Sequence, residues 1–370
     1  MKIKKYIYEQ PETLRRIFRE IPEMVQSLTP EVLKSPWERI FLIGSGTSKN
    51  ALVAIEPMMT RIFQMPVLVQ GPMSFMRYNP PSLFSRSFAL FLSQSGTSMT
   101  TIEAVRMAQA KGAKTLVITS DKESMIAQIP GSRLIMPMGI EKVGPKTKGY
   151  TATLASLMIL SISLSDALGT QKSDMNRLSR EYAEFCNFLA AGMKEWDQIG
   201  AVQAKLLTTY HHIMVLGQGR HVGTALEGSL KITEMSGLST SAFDMEEGLH
   251  GRFHGLDSKT AVLFLASSSE EDTLARSTIQ VLSGLNIPCF LYTSTPISER
   301  SKSKGEDKTL IFSELKISSF FSPVVPELDL IEFIIPFQFL SLHSATELGL
   351  VPEEMKYAGL SAKLGIKILT

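Results

Sequence analysis

The sequence predicts an α/β protein made of two doubly wound units in tandem, each with a central parallel sheet flanked by helices. The first observation behind this is internal repetition. Arg39-Ile-Phe-Leu-Ile-Gly44-Ser-Gly46 is matched by His212-Ile-Met-Val-Leu-Gly217-Gln-Gly219, Ala89-Leu-Phe-Leu-Ser93 by Val262-Leu-Phe-Leu-Ala266, and Leu116-Val-Ile-Thr119 by Phe290-Leu-Tyr-Thr293. The three pairs recur in order, offset by 173, 173 and 174 residues. The second observation is that the runs are rich in Val, Ile, Leu and Phe without alternation, the pattern of strands buried on both faces of a parallel sheet. The third is the helical periodicity between them. Thr100 to Ala110 places Ile102, Val105 and Ala108 on one stripe and stops before Gly112. Strand, helix, strand in succession implies parallel crossovers.

Taken along the chain, residues 1–34 read as a helical lead-in and 35–170 as the first α/β domain. Residues 171–205 form a connecting helix, with Leu178, Tyr182, Phe185 and Leu189 at helical spacing from Ser173 to Lys205. The second domain covers 206–345, and 346–370 is a tail with several lysines. A length of 370 residues suits two such domains.

Composition narrows the function. Thirty-eight Lys+Arg against 36 Asp+Glu give a formal charge of +2, which supplies no field for holding nucleic acid or an anionic membrane. The two cysteines, Cys186 and Cys289, build neither a disulfide framework nor a Cys-x-x-Cys pair. No apolar signal region follows Met1-Lys-Ile-Lys-Lys, so a cytoplasmic protein is expected. Leu154 to Leu164 and Ile331 to Leu342 fall short of the ~20 residues needed to cross a bilayer and read as buried core helices.

Ligands of open α/β sheets sit beyond the carboxyl ends of the strands. Gly44-Ser45-Gly46-Thr47-Ser48 and Ser93-Gln94-Ser95-Gly96-Thr97-Ser98 fall there, each offering hydroxyls, a glycine and the positive end of a helix, which suits an anion such as phosphate. No Walker lysine follows, and Lys49 stands where a dinucleotide fingerprint needs its third glycine, so no nucleotide cofactor is expected. The basic loop from Gly139 through Thr147 and Lys148 to Tyr150 is placed to close over a phosphate or sugar.

In the second unit Glu227, Lys231 and Glu234 stand at i, i+4 and i+7, so a helix aligns them on one face while Leu226 and Leu230 point elsewhere. On an arbitrary helix such a row is an exposed ion-pair stripe. Ser241 to Gly255 reads as a Gly-punctuated loop carrying Glu246, Glu247, His250 and His254. A carboxylate and a histidine beside a bound phosphate are what proton shuffling next to a carbonyl requires. Gly251 and Gly255 argue against the helix that would aim both histidines at a metal, so no metal is expected.

Ser45-Gly-Thr-Ser48, Ser93-Gln-Ser-Gly-Thr-Ser98, Ala225-Leu-Glu-Gly-Ser-Leu-Lys-Ile-Thr-Glu234 and Glu247-Gly-Leu-His250-Gly resemble the sugar isomerase (SIS) family. The pattern is that of double-SIS proteins such as the isomerase half of glucosamine-6-phosphate synthase. The resemblance implies that Ser93, Gln94, Ser95 and Ser98 hold the phosphate of a sugar phosphate, with Ser45, Gly46 and Thr47 on the sugar and Thr147 in a closing loop. It implies Glu234 as the base moving a proton between C1 and C2, Lys231 beside it, His250 in ring opening from a neighbouring subunit, and hence a homodimer with shared sites. A tail lysine, Lys363 or else Lys356 or Lys367, matches one that forms an imine with the keto sugar, so the tail would close the site. Arg252 stands where the family has proline, and Ser45 where it has cysteine. From its start at Met1-Lys2 the chain is expected to lack the synthase's glutaminase half. What the resemblance implies is an enzyme like the stand-alone amino-sugar-phosphate deaminases, isomerases or fructosamine-phosphate deglycases, needing no cofactor; a non-catalytic sugar-phosphate sensor is the competing class.

Overall fold

The computed structural model describes residues 1–32, 37–79, 84, 86–170, 172–294, 312–316, 322, 324–357 and 359–365. It has two compact units. One comprises Tyr8–Ala190 with the tail from Tyr357, the other Met1–Ile7 with Ala191–Lys356.

The chain opens with α1 (Lys2–Tyr8), α2 (Gln10–Val32), β1 (Arg39–Ile43), α3 (Thr47–Phe63), β2 (Val67–Gln70) and α4 (Pro72–Tyr78). It continues with β3 (Ser87–Leu92), α5 (Met99–Ala110), β4 (Lys114–Thr119), β5 (Ser132–Ile135), α6 (Lys148–Leu168) and α7 (Met175–Leu207). The first unit's sheet has the order β2-β1-β3-β4-β5, and every neighbouring pair is parallel. β3, Ser-Phe-Ala-Leu-Phe-Leu, is buried at all six positions, which is why it reads as an unbroken apolar run. Phe75 packs edge-on against Phe41, Phe84 and Phe91, with ring centroids 5.2, 5.3 and 5.6 Å apart. α6 is apolar around its circumference and buried nearly throughout, between α2 and α3. Its Ser156, Ser161 and Ser165 hydroxyls donate back to the carbonyls of Ala152, Leu157 and Ile162, so they cost little inside the core.

The second unit contains β6 (His212–Gly217), α8 (His221–Ser236), β7 (Ser239–Asp244), α9 (Met245–Leu249), β8 (Thr260–Ala266) and α10 (Ser269–Gly284). β9 (Cys289–Thr293), β10 (Phe312–Lys316), α11 (Asp329–Glu347) and the short α12 (Leu360–Lys363), which lies in the tail of the first unit, complete the chain. The sheet order β10-β9-β8-β6-β7 is parallel throughout and repeats the first sheet's winding. The six strand runs anticipated from apolarity are β1, β3, β4, β6, β8 and β9. The four strands not anticipated, β2, β5, β7 and β10, are the edges of the two sheets. Half-buried edges need no apolar run; β7, for example, has no fully buried residue.

Among the described residues two helical segments are long and apolar enough to cross a membrane, α6 and α11 with the turn before it, but 78% and 89% of their apolar windows are buried inside the protein.

The start of α8 is fastened to the start of α11. The Arg220 guanidinium donates to Asp329 at 2.6 and 3.0 Å, and His221 Nε2 lies 3.3 Å from the same carboxylate. Burial raises the Asp329 carboxyl, but His221 and Arg220 together outweigh it and hold it below its ordinary range. The stabilisation from this depressed value is present above about pH 4 and is lost as the pH falls through the native value. Asp329→Asn, which strands Arg220, is expected to cost about 3 kcal/mol near neutral pH. Urea unfolding should show that deficit shrinking below about pH 4, where the parent loses the same charge.

Candidate functional site

In the first unit β1 and β3 are neighbours from which the winding departs in opposite directions, so the loops after them flank the crevice where such sheets bind ligands. Ser45 and Gly46, on the first loop, are exposed and Thr47 is half-buried. Gly46, the residue before α3, adopts a φ of 56° and has no side chain to cap the helix. On the second loop Ser93 is buried, Gln94 and Ser98 half-buried and Ser95 exposed.

That second loop is rigidly built. Ser93 N–H donates to Ile118 C=O at 3.1 Å, and Gly96 N–H donates to Ser93 C=O at 3.0 Å. Gly96 has a φ of 68°, and a Cβ there would lie 2.1 Å from Ser124 Oγ. The Gln94 carbonyl takes three donors, Ser120 N–H (3.0 Å), Ser120 Oγ (2.9 Å) and Thr119 Oγ1 (3.1 Å). Ser98 precedes α5 without its hydroxyl capping the helix, and neither α3 nor α5 has an acidic residue in its first turn. Both helices therefore aim uncompensated positive ends at a hydroxyl-rich crevice, an arrangement that binds anions.

Thr147 lies elsewhere in its environment. It is fully buried, and its N–H and hydroxyl donate to Glu141 at 2.8 and 2.9 Å. The basic loop is folded onto itself: Lys146 Nζ donates to the carbonyls of Glu141 and Val143 at 2.6 and 2.7 Å, and Lys148 Nζ to Glu9 at 2.9 Å.

The corresponding loop of the second unit, after β8, is filled by the chain itself. Glu271 Oε2 accepts from Ser267 N–H (2.7 Å), Ser267 Oγ (3.1 Å) and Ser268 N–H (3.2 Å), while Ser268 Oγ caps Glu271 N–H. Glu270, Glu271 and Asp272 crowd the first turn of α10, where α5 has no acid at all.

Glu227, Lys231 and Glu234 do form one face of α8, but that face is buried against its surroundings, and the expected alternative of an exposed stripe is overturned. Lys231 and Glu227 are 0% exposed, 3.3 Å apart, and Lys231 Nζ also donates to Glu234, whose side chain keeps 17% exposure. Leu226 and Leu230, on another face, are half-buried, as is Glu234 at the end of the row. Burial alone pushes Lys231 towards neutrality, yet Glu227, and then Glu234, outweigh it and hold the ammonium above the ordinary lysine range. The ammonium form of Lys231 is thus favoured, and Glu234 is the member of the triad whose carboxylate reaches solvent.

The stretch Ser241 to Gly255 is not a continuous loop as its glycines suggested. β7 runs through Asp244, whose side chain caps α9, and a 3-10 turn spans Arg252–Gly255. Phe243 is half-buried against the core of the second unit, but it and Ala242 are the only apolar residues of β7, too few to read as a strand. His250 ends α9, exposed, as is His254. Arg252 lies over the Phe243 ring at 4.4 Å and 3.6 Å from Glu247. Lys356 and Lys363 are exposed, and Lys367 lies outside the described residues. Among the described residues no three His, Cys, Asp or Glu side chains gather as a metal site would need.

Three features were not anticipated: the Arg220–Asp329–His221 network, Glu271 and Glu141. Only Glu271 left a local signal, the Ser-x-x-Glu spacing of a capping box from Ser268. The other two join residues through the path of the fold.

Residues 35–163 match the SIS domain family. Over 355 residues, 94% of this chain, the sequence is 29% identical to the glutamine–fructose-6-phosphate aminotransferase (isomerizing) of Streptococcus mutans and covers 56% of it. The chain thus spans a little over half the length of that curated relative. The C-terminal domain of glucosamine-fructose-6-phosphate aminotransferase from Francisella tularensis superposes with a TM-score of 0.80 at 19% identity, covering 96% of this chain and 98% of that one. The tagatose-6-phosphate ketose/aldose isomerase of Escherichia coli does so with a TM-score of 0.78 at 17% identity, covering 95% and 94%. At such identities these two structures share the fold.

Because Lys231 balances two carboxylates, Lys231→Met is expected to destabilise the protein by about 3–5 kcal/mol. Adding Glu227→Gln should recover part of the loss, as measured by denaturant unfolding of the single and double variants.

Proposed function

We propose that the protein is a phosphosugar isomerase-type enzyme acting on an amino-sugar 6-phosphate, with two SIS-type units in the chain. Its reaction opens the sugar ring and shifts a proton between C1 and C2 through an enediol or enamine; the isomerised sugar then leaves, or water adds to the resulting imine, the C–N bond breaks, and the amine and a ketose phosphate are released. The observation that carries this reading is the buried Glu227–Lys231–Glu234 triad. A sensor needs only to hold a phosphate, whereas a sealed cation tied to a partly exposed carboxylate is a costly arrangement of the kind that recurs at catalytic sites.

In this reading Ser93, Gln94, Ser95 and Ser98 take the phosphate, aided by the positive end of α5, and Ser45, Gly46 and Thr47 take sugar hydroxyls. Glu234 is the base. Lys231 donates to it and orients it, and with its ammonium held above the ordinary lysine range it is not the amine that attacks a carbonyl. The imine role passes to Lys363. His250 serves ring opening in a neighbouring copy, which makes the working form a homodimer. The fold likeness, the matched SIS segment and the sequence similarity to an isomerizing aminotransferase all support this assignment.

Glu234→Gln should lower turnover by ~10² to 10⁴ while phosphosugar binding survives. The measurement is release of ammonia, amino acid or ketose from glucosamine 6-phosphate, fructose 6-phosphate and fructosamine 6-phosphates. Amino acid release would point to deglycase rather than deaminase activity, and binding without any product would make the protein a sensor. Mixing Glu234→Gln chains with His250→Ala chains should restore part of the activity that each lacks alone; no recovery would remove the shared site.

A further inference from the structure

We propose that Glu141 is a positioning residue for the substrate phosphate: its buried carboxylate holds the first turn of α6 against Gln94 and so fixes the amide that grips the phosphate. The inference rests on the reading of Ser93–Ser98 as the phosphate loop.

Glu141 is 4% exposed, and its carboxylate sits on the N-terminus of α6 as an external anion would. Oε1 accepts from Thr147 N–H (2.8 Å), Thr147 Oγ1 (2.9 Å) and Lys148 N–H (3.3 Å), and Oε2 accepts from Gly149 N–H (2.9 Å). The last of these bonds fixes the residue that faces Gln94. A Cβ on Gly149 would fall 2.4 to 2.8 Å from the Nε2, Cδ and Oε1 atoms of Gln94, so the α6 backbone lies directly on that amide. On its other side Gln94 Nε2 meets Met138 Sδ at 3.8 Å. The amide is therefore clasped by the two ends of one loop, and Glu141 is the group that closes the loop.

Beyond its first turn α6 is held by its packing against α2 and α3, and Lys148 on Glu9 (2.9 Å) and Thr151 on Gln10 (2.7 Å) add anchors near its start. Loss of the Glu141 charge should therefore loosen the first turn and Gln94 without dislodging the helix. In Glu141→Gln one of the two acceptor oxygens becomes an NH₂, and at least one backbone N–H loses its partner. Gly149→Ala disturbs the same amide directly and leaves Glu141 intact.

The test is calorimetric titration of the full chain with fructose 6-phosphate, together with steady-state kinetics on the active substrate. Both variants should raise Kd roughly tenfold, as for loss of one charge-assisted hydrogen bond, with the change falling on KM rather than kcat. Thr147→Ala, which removes one donor of four, should give a smaller shift in the same direction. A lower melting temperature with unchanged affinity would make Glu141 a helix cap and nothing more, overturning the proposal. Tighter binding by Glu141→Gln would overturn it too, since it would mean that the carboxylate only competes with phosphate. A parent chain that binds no phosphosugar overturns the functional reading along with this one, and that shows in the first titration, before any variant is compared.

Discussion

A helix that starts where a parallel strand ends aims several N–H groups and a partial positive charge at the loop between them, and something polar or negative has to answer. How each such helix is answered separates the positions of this protein that can bind from those that cannot. α10 is answered by Glu271 and α6 by Glu141, each a carboxylate supplied from within its own unit. α3 and α5 have no carboxylate in the first turn and no side-chain cap, only serine and threonine hydroxyls on their loops. In the proposed function an anion from solution answers those two helices, whose loops flank the crevice of the first sheet.

The same accounting of charge governs α8. A lysine with no exposure is tolerable only because Glu227 is sealed beside it and Glu234 lies within hydrogen-bond reach. The arrangement favours the Lys231 ammonium and leaves Glu234 as the carboxyl group of the three that meets solvent. Its cost is met by close packing of α8 against α11 and by the Arg220–Asp329–His221 network, which ties the starts of those helices.

Much of this was legible in the residues. Both phosphate-loop candidates sit where the apolar runs said they would, after β1 and β3, and Glu227, Lys231 and Glu234 do share a helical face. Other parts were hidden for definite reasons. The edge strands lack an apolar run because one margin of each meets solvent. β7 reads as loop in the sequence because its residues alternate too weakly, and the glycines that suggest a loop, Gly248, Gly251 and Gly255, all lie beyond its end. Thr147 looked like a ligand for phosphate, and only the folded loop shows its donors turned to Glu141.

Composition and spacing by themselves determined the interior strands, the tandem winding and the glycine- and hydroxyl-bearing loops, because burial on both faces of a sheet and the demands of a strand-to-helix turn act on adjacent residues. Tertiary structure alone decided which face of α8 is buried, which helix starts are already occupied by a carboxylate, and what holds Gln94 in place. Those depend on where α11 lies and how the loop before α6 returns on itself, and such side-chain reach across the fold leaves no periodic trace in the chain.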